Sequence, residues 1–235
     1  MKLEILANPE AVARRAAVLI AEQSRACFAM RRRFLMAASG GESLGPVLRM
    51  LGKEEVPWGG VYVMQVHESI VSPDGSERDL PRLREVLLEE TPIDPGRIYP
   101  MPVKLKNPYL AAEKYARTLK RLAGCPAILD LIHLELFTDG RTAALVPRDP
   151  VLHVDDRDVA ITGFHANRRS MTLTYPIINR ARQILWVVTG GDKVRVLAQL
   201  ETADRSIPAA GVRGTEMLVL ADRAARGIRT GRNVM

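Results

Sequence analysis

Short apolar runs that alternate with stretches of helical period limit this chain more than any other feature. "RFLMAA" (33–38), "VYVMQV" (61–66), "ILDLIHLEL" (128–136) and "QILWVVTG" (183–190) are each long enough for one strand. They show little of the polar alternation of a half-exposed sheet, as expected for strands covered on both faces. The segments between them supply helices. Asn8, Pro9 and Glu10 form a helix start, with a side-chain cap, a preset φ and a favourable charge. Val12, Ala16, Leu19, Ile20, Cys27 and Met30 then mark one face of a long helix. "NPYLAAEKYARTLKRLAG" repeats that grammar from Asn107 and Pro108 to Gly124. A helix follows "SGGES" through Leu51, another carries Leu83, Val86 and Leu87, and "GDKVRVLAQL" begins a further one. "SMTLTYP" (170–176) alternates at period two and reads as a strand exposed on one face, whereas "TEMLVLADRAA" (215–225) reads as strand then helix. The expected fold is one doubly wound α/β domain over residues 1–235. It has a mainly parallel sheet, helices on both faces and a small extra strand region around residues 150–175. Such sheets gather ligands beyond the carboxyl ends of the strands, where the strand order reverses. The polar clusters of this chain fall at those ends.

The charge balance points to an anion. Lys and Arg number 34 against 27 Asp and Glu, a formal net charge of +7, while aromatic residues make up only 5%. The basic residues are scattered, and no stacking platforms interleave with a basic stripe, so nucleic acid is not the expected partner. A small phosphorylated ligand fits the excess, and so does plain surface composition. Cys27 and Cys125 lie far apart in no ligand spacing and read as small buried side chains in a reducing compartment. No metal site is expected. The opening "MKLEILANPE" has no long apolar core of a secretory signal, and no run reaches about 18 apolar residues. The expectation is a cytoplasmic protein without a membrane partner, as a monomer or homodimer.

Two glycine turns stand where chemistry would be placed. In "SGGES", Ser39, Gly40 and Gly41 join a strand to a helix, so the backbone can approach a ligand while the helix start offers N–H groups to an anion. The turn lacks the Lys-Ser/Thr ending of a nucleotide-binding loop and the spacing of a dinucleotide fingerprint. "TGGDK" repeats the arrangement, with Lys193 near a helix start. Together these turns predict strand ends converging on one electropositive hollow.

Several segments, in order from about Asn8 to Ala225, resemble the 6-phosphogluconolactonase family, within the larger group of glucosamine-6-phosphate isomerase-like folds. "AASGGES" is similar to that family's Ser-Gly-Gly turn, and "TDGRTAALVP" to its Asp-Gly-His-Thr-Ala-Ser-Leu-Phe-Pro segment. "MTLTYPIINRAR" is similar to Thr-Leu-Thr-x-Pro-x-Leu-Asn-x-Ala-Arg, and "GGDK" and "IPAA" also match. The resemblance implies hydrolysis of 6-phosphoglucono-δ-lactone to 6-phosphogluconate in the oxidative pentose phosphate pathway, with no metal or organic cofactor. That reaction needs a base for water, donors for the oxyanion and cations for the phosphate.

The chain departs from the family in those functional columns. The family's base is the His of Asp-Gly-His, and Arg141 takes its place beside Asp139. Arginine stays protonated at neutral pH and cannot be a base. The family's Asp-Glu-Arg becomes His67-Glu68-Ser69, and its Gly-Met-Gly becomes Glu135-Leu136-Phe137. Its Arg before Thr-Leu-Thr falls on Ser170, with Arg168 and Arg169 adjacent, while Gly40, Gly41 and Lys193 are kept. The resemblance therefore implies a catalytic set of Asp139, Arg141, His67 and Glu68, and a phosphate-binding set of Ser39, Gly40, Gly41, Arg169 and Lys193. Three readings stay open: a base relocated to His67, Glu68 or Glu135; a sugar-phosphate-binding relative without catalysis; or an aldose–ketose isomerase of the wider group. Glu135 inside an apolar strand needs a partner or access to solvent, and an ion pair with Arg141 would supply the first. His133 would share its strand face, whereas His153 and His165 carry no recognisable spacing.

Overall fold

The computed structural model describes residues 1–71 and 78–228. Seven parallel strands form the main sheet: β1 (Lys2–Leu6), β2 (Phe34–Ala38), β3 (Val61–Gln65), β5 (Ile98–Tyr99), β6 (Leu131–Glu135), β9 (Gln183–Val188) and β10 (Met217–Asp222). Their spatial order is β1-β10-β9-β6-β2-β3-β5. Helices α1 (Pro9–Arg31), α2 (Leu44–Leu51) and α3 (Asp79–Glu90) cover one face, and α4 (Pro108–Ala123), α5 (Tyr175–Arg180) and α6 (Val194–Glu201) the other. Alternate strand residues feed the two cores. Phe34, Met36 and Ala38 pack toward α1 and α2, while Leu35 and Ala37 join the core beneath α4. No helix among the described residues is long and apolar enough to cross a membrane.

The helix boundaries follow local chemistry. Asn8 Oδ1 accepts the Ala11 N–H at 2.9 Å, and Asn107 Oδ1 accepts those of Tyr109 and Leu110. α1 stops where Arg32 turns left-handed and gives its N–H to Phe28. The face read along α1 holds at Val12, Ala16, Ile20 and Cys27, but Met30 in its last turn is exposed. Cys125 is also exposed, against the expectation that both cysteines are buried, because it lies in the turn beyond α4.

The extra strand region is a three-stranded antiparallel sheet of β4 (His67–Ile70), β8 (Arg169–Leu173) and β7 (Val159–Ile161). The chain changes sheets at Val66, whose N–H bonds Ala38 of the main sheet and whose carbonyl accepts from Leu173 of the other. Three elements differ from expectation. The segment read as a polar extension after Val66 begins with β4, and its residues 72–77 lie outside the described residues. β8 ends at Leu173, and Tyr175–Arg180 is helix, with Pro176 in its first turn where a missing N–H costs nothing. After β10 the chain makes turns over 223–227 in place of a helix.

Glu68 explains how so polar a run becomes a strand. Its side chain is fully buried, and its carboxylate accepts the backbone N–H groups of Ser69, Asp79 and Leu80 and the Gln65 amide at 2.9–3.1 Å. Arg78 lies 3.6 Å from the same group. Two of those N–H donors open α3, so the buried anion fixes that helix start. The Gln65 amide oxygen accepts from Met101, and the Tyr115 hydroxyl bonds both backbone groups of Gln65, which extends the network to α4.

Two stability measurements follow. Glu68→Gln turns an N–H₂ toward backbone donors and should lower stability by about 2 kcal/mol in denaturant unfolding; a change within about 0.5 kcal/mol would refute this anchoring. His133 is fully buried with neither ring nitrogen bonded, and burial lowers its pKa from 6.5 to about 4. The unfolded chain therefore binds the extra proton as pH falls below about 6.5, so folding weakens on acidification. Between pH 7 and pH 5 this loss should be about 2 kcal/mol, and His133→Leu should remove that part of the slope.

Candidate active site

The chain builds outward from β2 to β3 and β5, then returns to place β6 on the other side of β2. The carboxyl ends of β2 and β6 therefore lie side by side at the reversal of strand order, which is where an open α/β sheet leaves a crevice. Ala38 is level with His133, and the next N–H, that of Ser39, bonds the His133 carbonyl at 3.3 Å. The Gly40-Gly41 turn thus begins beside Glu135. A cavity of about 430 Å³ opens there, lined by Gly40, Gly41, Glu42, His67, Arg78, Asp79, Arg82, Glu135, Phe137 and Lys193. Lys193 ends the 3-10 turn Gly191–Lys193 ahead of α6, so both glycine turns contribute to one hollow. Its charges are balanced, with Arg78, Arg82 and Lys193 against Glu42, Asp79 and Glu135. The expected electropositive hollow is therefore corrected to a mixed one.

Glu135 accounts for much of the difference. It does not pair with Arg141. Its side chain turns back against Gly41, where an added Cβ would lie 1.5 Å from Oε2. Burial pushes the Glu135 carboxyl up, opposed by His67, the Ser43 N–H and Lys193, which favour its charged form. Oε2 itself is buried without a hydrogen-bond partner.

His67 and Asp79 face each other across the cavity wall, with Nε2 3.2 Å from Asp79 Oδ2. β4 carries the imidazole, and the Glu68 anchor brings in Asp79 as the first residue of α3. Burial raises the Asp79 pKa above its ordinary value, while His67, Arg168 and Arg82 pull it back. The His67 Nδ1 is closed off without a partner, which leaves the carboxylate as the more open end of the pair.

A second hollow of about 170 Å³ adjoins the first and shares His67, Asp79 and Phe137 with it. Arg141, Arg168, Ser69 and Ser170 also line it. Arg141 sits on a tight turn. Its N–H and Nη1 contact the Asp139 carboxylate at 3.1 and 3.3 Å, and its guanidinium lies 4.3 Å from the Phe137 ring centre. Gly140 needs its freedom here: φ is +80°, and a Cβ would meet Ile207 at 2.4 Å. Ala209 of the "IPAA" segment bonds the Gly140 carbonyl from below.

Of the residues named from sequence, Gly40, Gly41, His67, Arg141 and Lys193 line these two hollows. Asp139 lies behind Arg141 and borders a different depression. Three are placed elsewhere. Glu68 is buried with its oxygens committed to α3, and so is corrected from a candidate base to an anchor. Ser39 is fully buried against His133 and corrected to a backbone support. Arg169 bonds Thr162 and the Tyr109 hydroxyl and lies over the Tyr109 and Phe164 rings, so Arg168 reaches the hollow in its stead. Sequence reasoning missed Asp79, whose only signal is an acidic residue opening an amphipathic helix. Among the described residues no group of three or more His, Cys, Asp or Glu side chains could hold a metal ion.

Comparison with known proteins supplies the lineage. Residues 7–220 match the model of glucosamine-6-phosphate isomerases/6-phosphogluconolactonase. The 6-phosphogluconolactonase of Synechocystis sp. is 30% identical over 203 residues, covering 85% of this chain and 84% of that one. The Homo sapiens 6-phosphogluconolactonase is 30% identical over 210 residues, covering 83% and 80%. In fold, the Thermotoga maritima 6-phosphogluconolactonase superposes with a TM-score of 0.81 at 22% identity, over 94% of this chain and 98% of that one. A monomeric glucosamine-6-phosphate deaminase gives 0.84 at 14% identity, over 97% and 100%. The chain belongs to the glucosamine-6-phosphate isomerase/6-phosphogluconolactonase family.

Proposed function

We propose that this chain hydrolyses 6-phosphoglucono-δ-lactone to 6-phosphogluconate, with the proton acceptor moved from the Asp-Gly-Arg turn to α3. The observation that carries this reading is the shared cavity, in which Gly40, Gly41 and Lys193 meet the His67–Asp79 pair. The names of the relatives, which are 6-phosphogluconolactonases at about 30% identity, support the same substrate.

In this reading the Asp79 carboxylate takes a proton from water while His67 holds its other face. The hydroxide oxygen bonds to C1 of the lactone. Arg141 and Arg168 lie beside the smaller hollow and stabilise the oxyanion that forms there. The C1 to ring-oxygen bond then breaks, and the ring oxygen receives the proton as an alcohol. Lys193, Arg78 and Arg82 face the phosphate end. A raised Asp79 pKa suits this role, because a base works best when its pKa approaches the working pH.

Thermal unfolding with and without 6-phosphogluconate, beside a lactone assay corrected for spontaneous opening, tests the function. At 100 times Kd the product should stabilise the fold by about 2.7 kcal/mol. A shift without turnover would leave only a binder, and neither response would end the proposal. Asp79→Asn should lower kcat by about 10²–10⁴. Activity should fall as pH drops through the Asp79 pKa, which burial places above the ordinary 3.8, and Asp79→Asn should lose that acid limb. An unchanged pH profile in Asp79→Asn would exclude it as the base.

A further inference from the structure

We propose that Glu135 is an internal competitor for the ligand's phosphate and weakens this chain's preference for phosphorylated over unphosphorylated sugar lactones. The inference rests on the lactonase reading and specifies its substrate selectivity. Four observations lead to it. The Glu135 carboxylate projects from the end of β6 onto the turn that opens into α2, and its Oε2 occupies the space directly over Gly41. It draws on the groups that an incoming phosphate would use, the Ser43 N–H and the Lys193 ammonium. Lys193 is already shared, since Asp192 also lies 3.3 Å from its Nζ. Finally, Oε2 is buried and lacks a hydrogen-bond partner, so the carboxylate fills this position without satisfying it.

A phosphate entering the cavity meets this carboxylate, and Glu42 and Asp79 offset part of the attraction from Arg78, Arg82 and Lys193. Like charges in such proximity disfavour each other strongly. A sugar lactone without phosphate avoids that repulsion, and one of its hydroxyls can donate to Oε2 instead. At this position the Glu135 charge favours the less anionic ligand.

Titration calorimetry of the whole chain with inorganic phosphate, 6-phosphogluconate and gluconate separates the alternatives. Glu135→Gly empties the space over Gly41 and should tighten inorganic phosphate and 6-phosphogluconate by about tenfold or more. The ratio of gluconate Kd to 6-phosphogluconate Kd should rise by the same factor. Glu135→Gln keeps the volume and removes the charge, so it should move both quantities in the same direction by less. It also guards against loss of fold caused by glycine in a central strand. Unchanged phosphate affinity in both variants would overturn the proposal. So would an equal gain for gluconate, which would show that only space had been created. Lactone turnover absent from wild type and variants, alongside a phosphate gain, would remove the lactonase reading while the Glu135 result stood. Strong wild-type preference for the phosphorylated lactone, unaltered in Glu135→Gly, would do the reverse.

Discussion

The carboxyl ends of β2 and β6 are held side by side by their parallel pairing and by the Ser39 N–H on the His133 carbonyl, which brings the Gly40-Gly41 turn beside Glu135. Adjacent parallel strands leave little room between their first loop residues. A Cβ at position 41 would lie 1.5 Å from Glu135 Oε2, so a side chain there would displace the carboxylate. Gly41 thus leaves the space that the Glu135 carboxylate occupies. The loop after β6 brings Phe137 to the cavity that Gly40 lines and Arg141 to the smaller hollow beside it.

Three carboxylates share this region, and their environments give them different roles. Glu68 is the most buried, yet its oxygens receive three backbone N–H groups and an amide. That satisfaction makes a buried anion tolerable and leaves it no capacity for chemistry. Asp79 keeps one oxygen against His67 and the other side open, and burial raises its pKa. Glu135 keeps one buried oxygen unpaired, and burial raises its pKa too. The two carboxylates with incomplete hydrogen bonding are the ones to which the proposals assign reactivity and selectivity.

The helix starts at Asn8 and Asn107 and the strands of the main sheet were legible because each rests on local chemistry or on a run of apolar residues. The turn around Gly140 was legible through its motif, and Lys193 through its place after a glycine turn. β4 was not, because His67, Glu68 and Ser69 resemble a solvated extension until the amides of α3 are brought over them. Nor could a pairing of Glu135 with Arg141 be distinguished from one with the Gly41 turn. Both bring the carboxylate to polar neighbours, and only the direction of the side chain decides. Arg168 and Arg169 posed the same difficulty. Arg168 is a bridge residue just ahead of β8 and Arg169 is the first residue of that strand, and one reaches the hollow while the other lies over Tyr109.

The departures at positions 137 and 141 form one physical unit. The turn closes through the Phe137 N–H on the Arg141 carbonyl and the Gly140 N–H on the Phe137 carbonyl, so the two side chains leave the same tight loop. A guanidinium needs a carboxylate and tolerates an aromatic face. Asp139 and Phe137 provide both at 3.3 and 4.3 Å. A glycine at 137 would remove the face, and a histidine at 141 would leave the Asp139 carboxylate without its cation. With a permanent cation in that turn, the proposed reaction takes its proton acceptor from outside the turn. His67 and Asp79 line the same hollow as Arg141, joined at 3.2 Å, with the Asp79 backbone held by the buried Glu68.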